Sequence, residues 1–245
     1  MGVDTVEKGK NLRKIGIFGG AFDPVHTGHV LSCQDVREKF SLELLLVIPS
    51  YLSPHKIPAQ YASYKHRLYM TELAFAQIPH IQVSDMAAKR SGYTYSVDLM
   101  HEVHKLYPEA ELFSIIGMDS YIEMPTWKDP EELFSLSHWI VMTRPGYQMK
   151  GLETVFPPKL SCEFEYQESL SYRHASGKKL LFQETEFMDI SSTAIRDKLS
   201  RGEEVSPGEL PPAVFSYIRS HKLYEKPSVA DADRRKEVDA KNVSR

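Results

Sequence analysis

The 245-residue sequence is poor in cysteine, in long apolar runs and in net charge, and each shortage excludes a class of protein. Its two cysteines, Cys33 and Cys162, form neither a disulfide framework nor a C-x-x-C spacing, which favours a reducing compartment. The longest uninterrupted apolar run, Leu44–Ile48, has five residues, whereas a membrane-spanning helix needs about twenty. Thirty basic and thirty-three acidic side chains leave a net charge of −3, so no bulk positive field attracts nucleic acid or anionic membrane.

The composition also bounds the organisation of the chain. Residues 1–13 mix charges of both signs without an apolar targeting segment, and we expect them to be an N-terminal extension of a cytoplasmic protein. Residues 14–224 are expected to form one domain, and residues 225–245 a charged, disordered tail with almost no apolar side chains to bury. We expect no membrane and no nucleic-acid partner, and the sequence leaves the oligomeric state open.

Short apolar segments alternate with helical patterns along the expected domain. Strands are predicted at Lys14–Phe18, Leu44–Ile48, Ile81–Val83, Leu112–Ile116, His138–Met142 and Leu180–Phe182. Helices are predicted at Gly28–Phe40, around Tyr69–Ala76 and Val97–Tyr107, and at Pro130–Leu136, Ser192–Ser200 and Pro212–His221. Tyr69, Leu73 and Ala76 mark the apolar stripe of the second of these helices. Residues 146–179 show no clear pattern. The alternation predicts an α/β protein with a doubly wound parallel sheet, whose ligands bind beyond the carboxyl ends of the strands.

A glycine-rich segment, Gly19–His29, follows the first predicted strand and opens the first predicted helix. A helix N-terminus offers unpaired N–H groups and about half a positive charge, and glycines let a polyphosphate approach the backbone closely. The spacing is neither the dinucleotide-binding G-x-G-x-x-G nor a Walker loop, which disfavours hydride-transfer enzymes and P-loop kinases. The segment therefore predicts a phosphate cradle of another kind.

His26 and His29 lie three residues apart at this predicted helix start. Both rings can therefore donate to the same polyphosphate. Two other interpretations are open for this spacing: a pair of zinc ligands, or one surface and one core histidine. The glycine-rich approach and the lack of an obvious third ligand favour phosphate donors.

These motifs, together with others further along the chain, resemble the nucleotidylyltransferases with a His-x-Gly-His signature, and among them the bacterial nicotinate mononucleotide adenylyltransferases. The resembling segments are Ser53–Lys56, Arg67–Ala74, Thr94–Asp98, Ile116–Asp119 with Trp127, Arg144–Tyr147, Ile190–Arg196 and Leu210–Pro212 with Tyr217–Ile218. The resemblance covers about Lys14 to Tyr224 and implies a Rossmann-like nucleotidylyltransferase fold. Ala21, where the family usually has Ser or Thr, and Ser53, which replaces a proline, depart from the family pattern.

The resemblance implies adenylyl transfer from ATP to nicotinate mononucleotide, giving nicotinic acid adenine dinucleotide and pyrophosphate in NAD biosynthesis. It also implies three groups of site residues. The catalytic group is His26, His29, Lys56 and Arg196; the ATP-binding group is Gly19, Gly20, Ala21, Phe22, Gly28, Gly117, Arg144, Ile190, Ser191, Ser192 and Thr193; the acceptor-binding group is Asp23, Tyr95, Ser96, Asp119 and Trp127. Mg²⁺ is expected to accompany ATP, held mainly by phosphate oxygens and water rather than by a protein metal site.

Two alternative functions stay open. One is a related adenylyltransferase for another phosphate acceptor, such as nicotinamide mononucleotide or phosphopantetheine; the other is a catalytically silent nucleotide-binding regulator. The Trp127 and Tyr95-Ser96 elements argue against phosphopantetheine, and the intact signature histidines argue against a silent regulator. Simpler roles compete as well: Ser191–Thr193 can be a helix cap and Trp127 a packing residue. Asp23 and Asp119 can be turn carboxylates.

Overall fold

Strands and helices alternate in the computed structural model, which describes residues 13–51, 62–89, 92–144, 146, 151–186 and 190–226. The strands are β1 (Lys14–Gly20), β2 (Leu44–Pro49), β3 (Ile81–Val83), β4 (Glu111–Gly117), β5 (His138–Thr143), β6 (Phe164–Tyr166), β7 (Ser171–His174) and β8 (Lys179–Glu184). The helices are α1 (Thr27–Lys39), α2 (Tyr64–Phe75), α3 (Ser96–Leu106), α4 (Met118–Glu123), α5 (Pro130–Leu136), α6 (Leu152–Val155), α7 (Pro158–Ser161), α8 (Ser192–Ser200) and α9 (Pro212–Ser220). All six predicted strands and all six predicted helices are present, within a few residues of their predicted bounds.

These strands form one sheet in the order β3-β2-β1-β4-β5-β8-β7-β6. The six strands from β3 to β8 in this order run parallel, which confirms the predicted doubly wound α/β sheet. The order reverses direction beside β1, because β2 and β3 extend to one side of it and β4, β5 and β8 to the other. In open sheets of this kind, ligands bind at the carboxyl ends of the strands where the order reverses.

One edge of the sheet differs from the sequence prediction. The unassigned segment supplies β6 and β7, and β7 pairs antiparallel with both β6 and β8. Only four residues separate β6 from β7 and β7 from β8. Connections this short join antiparallel neighbours, since parallel strands need a crossover of a dozen residues or more.

Two apolar cores cover the two faces of the sheet. The side chains of β2 alternate between them: Leu44, Leu46 and Ile48 pack with α3 to α7, and Leu45 and Val47 pack with α1, α2, α8 and α9. A strand buried on both faces needs apolar side chains at every position, because successive side chains point to opposite faces. The longest apolar run of the sequence is therefore the strand next to β1.

Helix α2 buries a different face from the one predicted. The prediction placed Tyr69 and Leu73 on the apolar stripe, but Tyr69 is exposed and Leu73 is half-buried. The buried positions include Met70, Phe75 and Arg67. The pattern misled because a charged side chain occupies the buried face, where backbone carbonyl groups satisfy its guanidinium group.

The predicted chain ends lie mostly outside the described residues. Of the N-terminal extension only Arg13 is described, and of the tail only Glu225 and Lys226. The domain bounds at 14 and 224 therefore stay predictions. No helix in the described part of the chain is long and apolar enough to cross a membrane.

Gly16 in β1 marks a close approach between the strand and the core, and this generates a stability prediction. A Cβ at Gly16 would stand 2.7 Å from Cδ1 of Leu42, 3.2 Å from Cγ of Leu45 and 3.3 Å from Cδ1 of Ile115. We expect Gly16→Ala to lower the free energy of unfolding by about 1–3 kcal/mol, because the packed core must shift. Gly19→Ala in the same strand is the matched control, since its Cβ meets nothing within 4 Å. Urea unfolding measures both, and equal stability of the two variants would contradict the packing argument.

Candidate functional site

The turn between β1 and α1 presents its backbone at the carboxyl end of the central strand. Gly19, Gly20 and Ala21 line an open cavity there. Phe22 adopts a positive φ of 50° and turns its ring into the core, where it packs against Phe18. A Cβ at Gly20 would lie 3.0 Å from the Phe22 ring, so a larger residue there would make a tight contact with this ring. Of the predicted cradle, Phe22 is thus available to a ligand through its backbone alone.

The two signature histidines cap the first turn of α1 and stack on each other. The amide N–H of His29 donates to Nδ1 of His26 at 3.3 Å, and the amide N–H of His26 donates to Nδ1 of His29 at 3.2 Å. The ring centroids are 3.5 Å apart. Because each Nδ1 accepts a backbone proton, each neutral ring carries its own proton on Nε2, and Nε2 is its donor. This reciprocal arrangement is the capping-box geometry, with histidine at both positions.

Burial keeps His26 neutral. Its side chain is 6% exposed, and the loss of solvation lowers the pKa of the ring to about 4. The ring is therefore an uncharged donor at neutral pH. Its position beside the N-terminus of α1 adds the partial positive charge of the helix to the same point.

The start of α8 lies against the same turn. Ser191 caps this helix by accepting a 3.5 Å hydrogen bond from the amide of Ala194. The hydroxyl of Ser192 donates to the carbonyl of Pro24 at 2.9 Å. Arg196 donates to the carbonyl of Asp23 at 2.7 Å and to the hydroxyl of Thr193 at 3.3 Å. The predicted caps and the predicted guanidinium ligand are thus brought to the histidine-bearing turn, although about 165 residues separate them in sequence.

Asp23 does not line the cavity as the acceptor-binding prediction requires. Its side chain is 1% exposed and accepts hydrogen bonds from the hydroxyl of Tyr224 at 2.6 Å and the amide of Ala62 at 3.1 Å. Burial raises the pKa of this carboxyl, while these two donors and Arg196 oppose the increase. The turn folds this carboxylate inward, where it holds the turn to other parts of the chain, and its acceptor-binding role stays a prediction.

Arg67 holds the other side of the turn, and the sequence analysis gave it no role. The side chain is 6% exposed and donates to the carbonyls of Ala21 at 2.7 Å, Ser50 at 2.8 Å, Tyr51 at 3.1 Å and Ala62 at 3.1 Å. A buried guanidinium that serves several carbonyls fixes the relative position of the segments that carry them. The signal available in the sequence was that Arg67 opens the segment Arg67–Ala74, one of the segments that carry the family resemblance.

The cavity lies where the strand order reverses, between β1, β4 and the start of α3. Three of the predicted acceptor residues, Tyr95, Ser96 and Trp127, line it. Further polar residues that the prediction missed also line it, and these are Ser50, Thr94, Ser114, Ser120, Glu123 and Lys128. Ser120 and Glu123 lie on one face of α4, three residues apart, but this six-residue helix is too short to show a pattern in the sequence.

Aromatic groups form one wall of this cavity. Trp127 is half-buried and packs edge-on against Trp139 at 6.2 Å between ring centroids. Its Nε1 is buried and has no hydrogen-bond partner among the described residues. The ammonium group of Lys128 lies 5.1 Å from the ring centroid of Tyr95 and donates to Asp98 at 3.1 Å. The wall therefore combines flat apolar faces with a positive charge at the rim.

The remaining predicted residues that the structure describes do not line the cavity. Asp119 is exposed and does not line the cavity, Gly117 precedes the first residue of α4, and Ile190 is half-buried just before α8. Arg144 is exposed at the end of β5. Gly28 is buried inside the first turn of α1. Lys56 lies outside the described residues, so its role stays a prediction.

Comparisons with known proteins agree with this geometry. A family model of cytidylyltransferase-like proteins matches residues 17–198. A protein of Syntrophotalea carbinolica named probable nicotinate-nucleotide adenylyltransferase is 37% identical over 212 residues, which cover 86% of this chain and 97% of that protein. One of the same name from Shewanella pealeana is 34% identical over 90% of this chain and its own full length.

A solved structure shows the same fold. Plasmodium falciparum nicotinic acid mononucleotide adenylyltransferase, complexed with NaAD, superposes with a TM-score of 0.67. The match covers 86% of this chain and 97% of that one at 18% sequence identity. The two proteins thus share a fold, although few of their residues are identical.

The neutral state of His26 predicts a pH-dependent stability. The folded pKa of about 4 lies below the unfolded value of about 6.5, so the unfolded state binds the proton first as the pH falls. The His26 contribution is complete above about pH 6.5 and is lost towards pH 4, by up to about 3 kcal/mol. His26→Asn keeps a good N-cap and removes this titration. Urea unfolding at about pH 7 and about pH 4.5 should show the smaller decline in the variant; equal declines would contradict the burial argument.

Proposed function

Because this chain belongs to the cytidylyltransferase-like family and, within it, to the nicotinate-nucleotide adenylyltransferases, we propose that it transfers the adenylyl group of ATP to nicotinate mononucleotide. It is a nucleotidyltransferase of NAD biosynthesis. The observation that best supports this proposal is that the first turns of two helices, α1 and α8, meet at the turn between β1 and α1. The stacked histidines of α1 and Arg196 of α8 meet there, beside a cavity with an aromatic wall.

The reaction needs positioning rather than an enzyme nucleophile. An oxygen of the acceptor's 5′-phosphate bonds to the α-phosphorus of ATP, the bond from that phosphorus to the bridging oxygen breaks, and the electron pair leaves with pyrophosphate. The protein must hold two polyanions in line and stabilise charge on the phosphate oxygens. The Nε2–H groups of His26 and His29 and the guanidinium group of Arg196 are proposed to supply such donors.

Preorganisation of these donors is visible in the structure. The His26 and His29 rings are fixed through Nδ1 by backbone amides, so their tautomer and orientation are set before a ligand arrives. A neutral donor at the first turn of a helix stabilises developing negative charge without a change of its own protonation state. The low pKa of His26 is therefore suited to hydrogen bonding and unsuited to proton transfer.

The acceptor side is proposed to be the cavity beside α3. Thr94, Tyr95 and Ser96 line it at the N-terminus of this helix, where unpaired N–H groups favour an anion. The ring of Trp127 can stack on a pyridine. A nicotinate carboxylate accepts from such donors, whereas the NH₂ group of a nicotinamide faces them donor to donor and leaves them unpaired.

We propose that Mg²⁺ enters the site bound to ATP. The side chains of His26, His29 and Arg196 donate hydrogen bonds, which suit phosphate oxygens. Mg²⁺ would be bound by the triphosphate and by water, and it would reduce the negative charge of the phosphates.

A pyrophosphate-release assay with ATP and a panel of acceptors tests the proposed function. The panel contains nicotinate mononucleotide, nicotinamide mononucleotide and phosphopantetheine, each at matched concentration. Release with the first and formation of nicotinic acid adenine dinucleotide are expected. Release only with another acceptor would assign the chain to a related adenylyltransferase, and tight ATP binding without release from any acceptor would favour a silent regulator.

The donor role of the histidines predicts a loss of turnover without a loss of fold. We expect His26→Asn to lower kcat about 100-fold to 1000-fold, because one preorganised donor is worth about 2.7–4 kcal/mol in the transition state. Asparagine still caps α1, so the far-UV circular dichroism should not change. A zinc-selective chelator should leave the wild-type rate unchanged. Loss of activity on chelation and its return with zinc would instead support the metal-pair interpretation.

Trp127 predicts an acceptor-specific defect. Its ring forms one wall of the proposed acceptor cavity, next to the start of α3. We expect Trp127→Ala to raise the KM for nicotinate mononucleotide much more than the KM for ATP, since stacking area is lost on one side alone. The wild type should prefer nicotinate over nicotinamide mononucleotide, by up to about 10⁴-fold in kcat/KM if the donors are fully buried. Equal KM changes for both substrates would contradict the placement of the acceptor.

A further inference from the structure

Tyr224 connects the end of the described chain to the turn between β1 and α1. It lies four residues beyond α9, with a positive φ of 67°, and its hydroxyl donates to Oδ1 of Asp23 at 2.6 Å. This hydrogen bond is shorter than the one that the same oxygen accepts from Ala62, and it joins residues 201 positions apart in the sequence. Nothing in the proposed chemistry of ATP and acceptor requires a tyrosine there, and the contact needs its own explanation.

The partner of Tyr224 is a carboxylate with few other means of stabilisation. Asp23 is 1% exposed, and besides Tyr224 its Oδ1 receives the amide of Ala62. Its Oδ2 has no hydrogen-bond partner among the described residues, and Nη1 of Arg196 lies 3.9 Å from it. A buried anion of this kind is costly unless it is hydrogen-bonded. Loss of the tyrosine hydroxyl would therefore destabilise the buried carboxylate of Asp23.

Residue 23 is also the point where Arg196 is attached to the turn. The guanidinium donates to the backbone carbonyl of Asp23 at 2.7 Å, so the side chain and the backbone of one residue bind Tyr224 and Arg196 respectively. His26 caps α1 three residues later. A shift of residue 23 consequently moves the guanidinium and the histidine together, away from common alignment on a triphosphate.

We propose that Tyr224 is a positioning residue for the ATP site, which acts through the Asp23 carboxylate on Arg196 and on the start of α1. The inference rests on the proposed adenylyl transfer from ATP but not on the identity of the acceptor. It also gives Asp23 a role, because its buried carboxylate connects the segment that follows α9 to the turn between β1 and α1.

The ionisation state of Asp23 allows a test by pH dependence, which a purely structural role of Tyr224 would not change. Tyr224, Arg196 and Arg67 face this carboxyl, and all three favour its charged form, while burial opposes it. Removal of the tyrosine hydroxyl leaves burial less opposed, so the pKa of Asp23 rises further. The carboxylate then accepts a proton at higher pH, and Arg196 loses its neighbouring charge there. The acid limb of kcat/KM for ATP should move to higher pH.

The experiment compares Tyr224→Phe with wild type in the full chain, by pyrophosphate release across a pH series. We expect kcat/KM for ATP to fall by about tenfold or more and its acid limb to move upward, with the KM for nicotinate mononucleotide changed less than about twofold. Tyr217→Phe is the matched control: it also removes a tyrosine hydroxyl near the chain end, bonded to His66 at 2.9 Å on α2, away from the turn. This control should leave the pH profile unchanged.

Asp23→Asn keeps an oxygen that accepts from Tyr224 but cannot titrate, and it serves if Tyr224→Phe does not fold. It should remove the part of the acid limb due to Asp23. The double variant Asp23→Asn/Tyr224→Phe should lose little more activity than Asp23→Asn, since the two residues act as one unit. A lowered melting temperature with unchanged kcat/KM and pH profile would overturn the inference, as would strictly additive losses. If the wild type uses another acceptor, kcat/KM for ATP of each variant relative to wild type is measured with that acceptor. Such a result would contradict the proposed acceptor and leave the inference about Tyr224 testable.

Discussion

The backbone carbonyls of the turn between β1 and α1 are held by donors from outside the turn, and the geometry of the whole site depends on this. Ala21 accepts from Arg67 of α2, Asp23 accepts from Arg196 of α8, and Pro24 accepts from Ser192 of α8. A buried carbonyl that loses its partner is destabilised by about 1–3 kcal/mol. The two helices are therefore fixed relative to β1, although neither is adjacent to it in sequence.

The side chains that distant segments bring to this turn are hydrogen-bond donors. The carbonyls of the turn accept from Arg67, Arg196 and Ser192, and each ring of the stacked pair His26 and His29 carries its own proton on Nε2. Such a surface is suited to phosphate and unsuited to a cation. The proposed acceptor cavity lies on the α3 side of the same turn, at the carboxyl ends of the parallel strands.

The local rules of the sequence were sufficient for much of the fold and the site. The glycine turn, the continuous apolar strand β2 and the cap of α8 were predictable because each depends on residues a few positions apart. The antiparallel edge at β6 and β7 was not, because its strands are three and four residues long and carry exposed side chains. The inward turn of Asp23 was also beyond local rules, since its main partner, Tyr224, lies at the other end of the chain. Arg67 and Lys128 were missed for the same reason: their partners come from distant segments.

The central claim is that the turn aligns ATP for direct attack by the acceptor, with no covalent intermediate on the protein. The stereochemical course at the α-phosphorus tests it most directly, using ATP made chiral there by sulfur and oxygen isotopes. A single in-line displacement predicts inversion of configuration in the dinucleotide product. Retention would contradict the account, because it requires two displacements and therefore a protein nucleophile that the proposed mechanism does not contain.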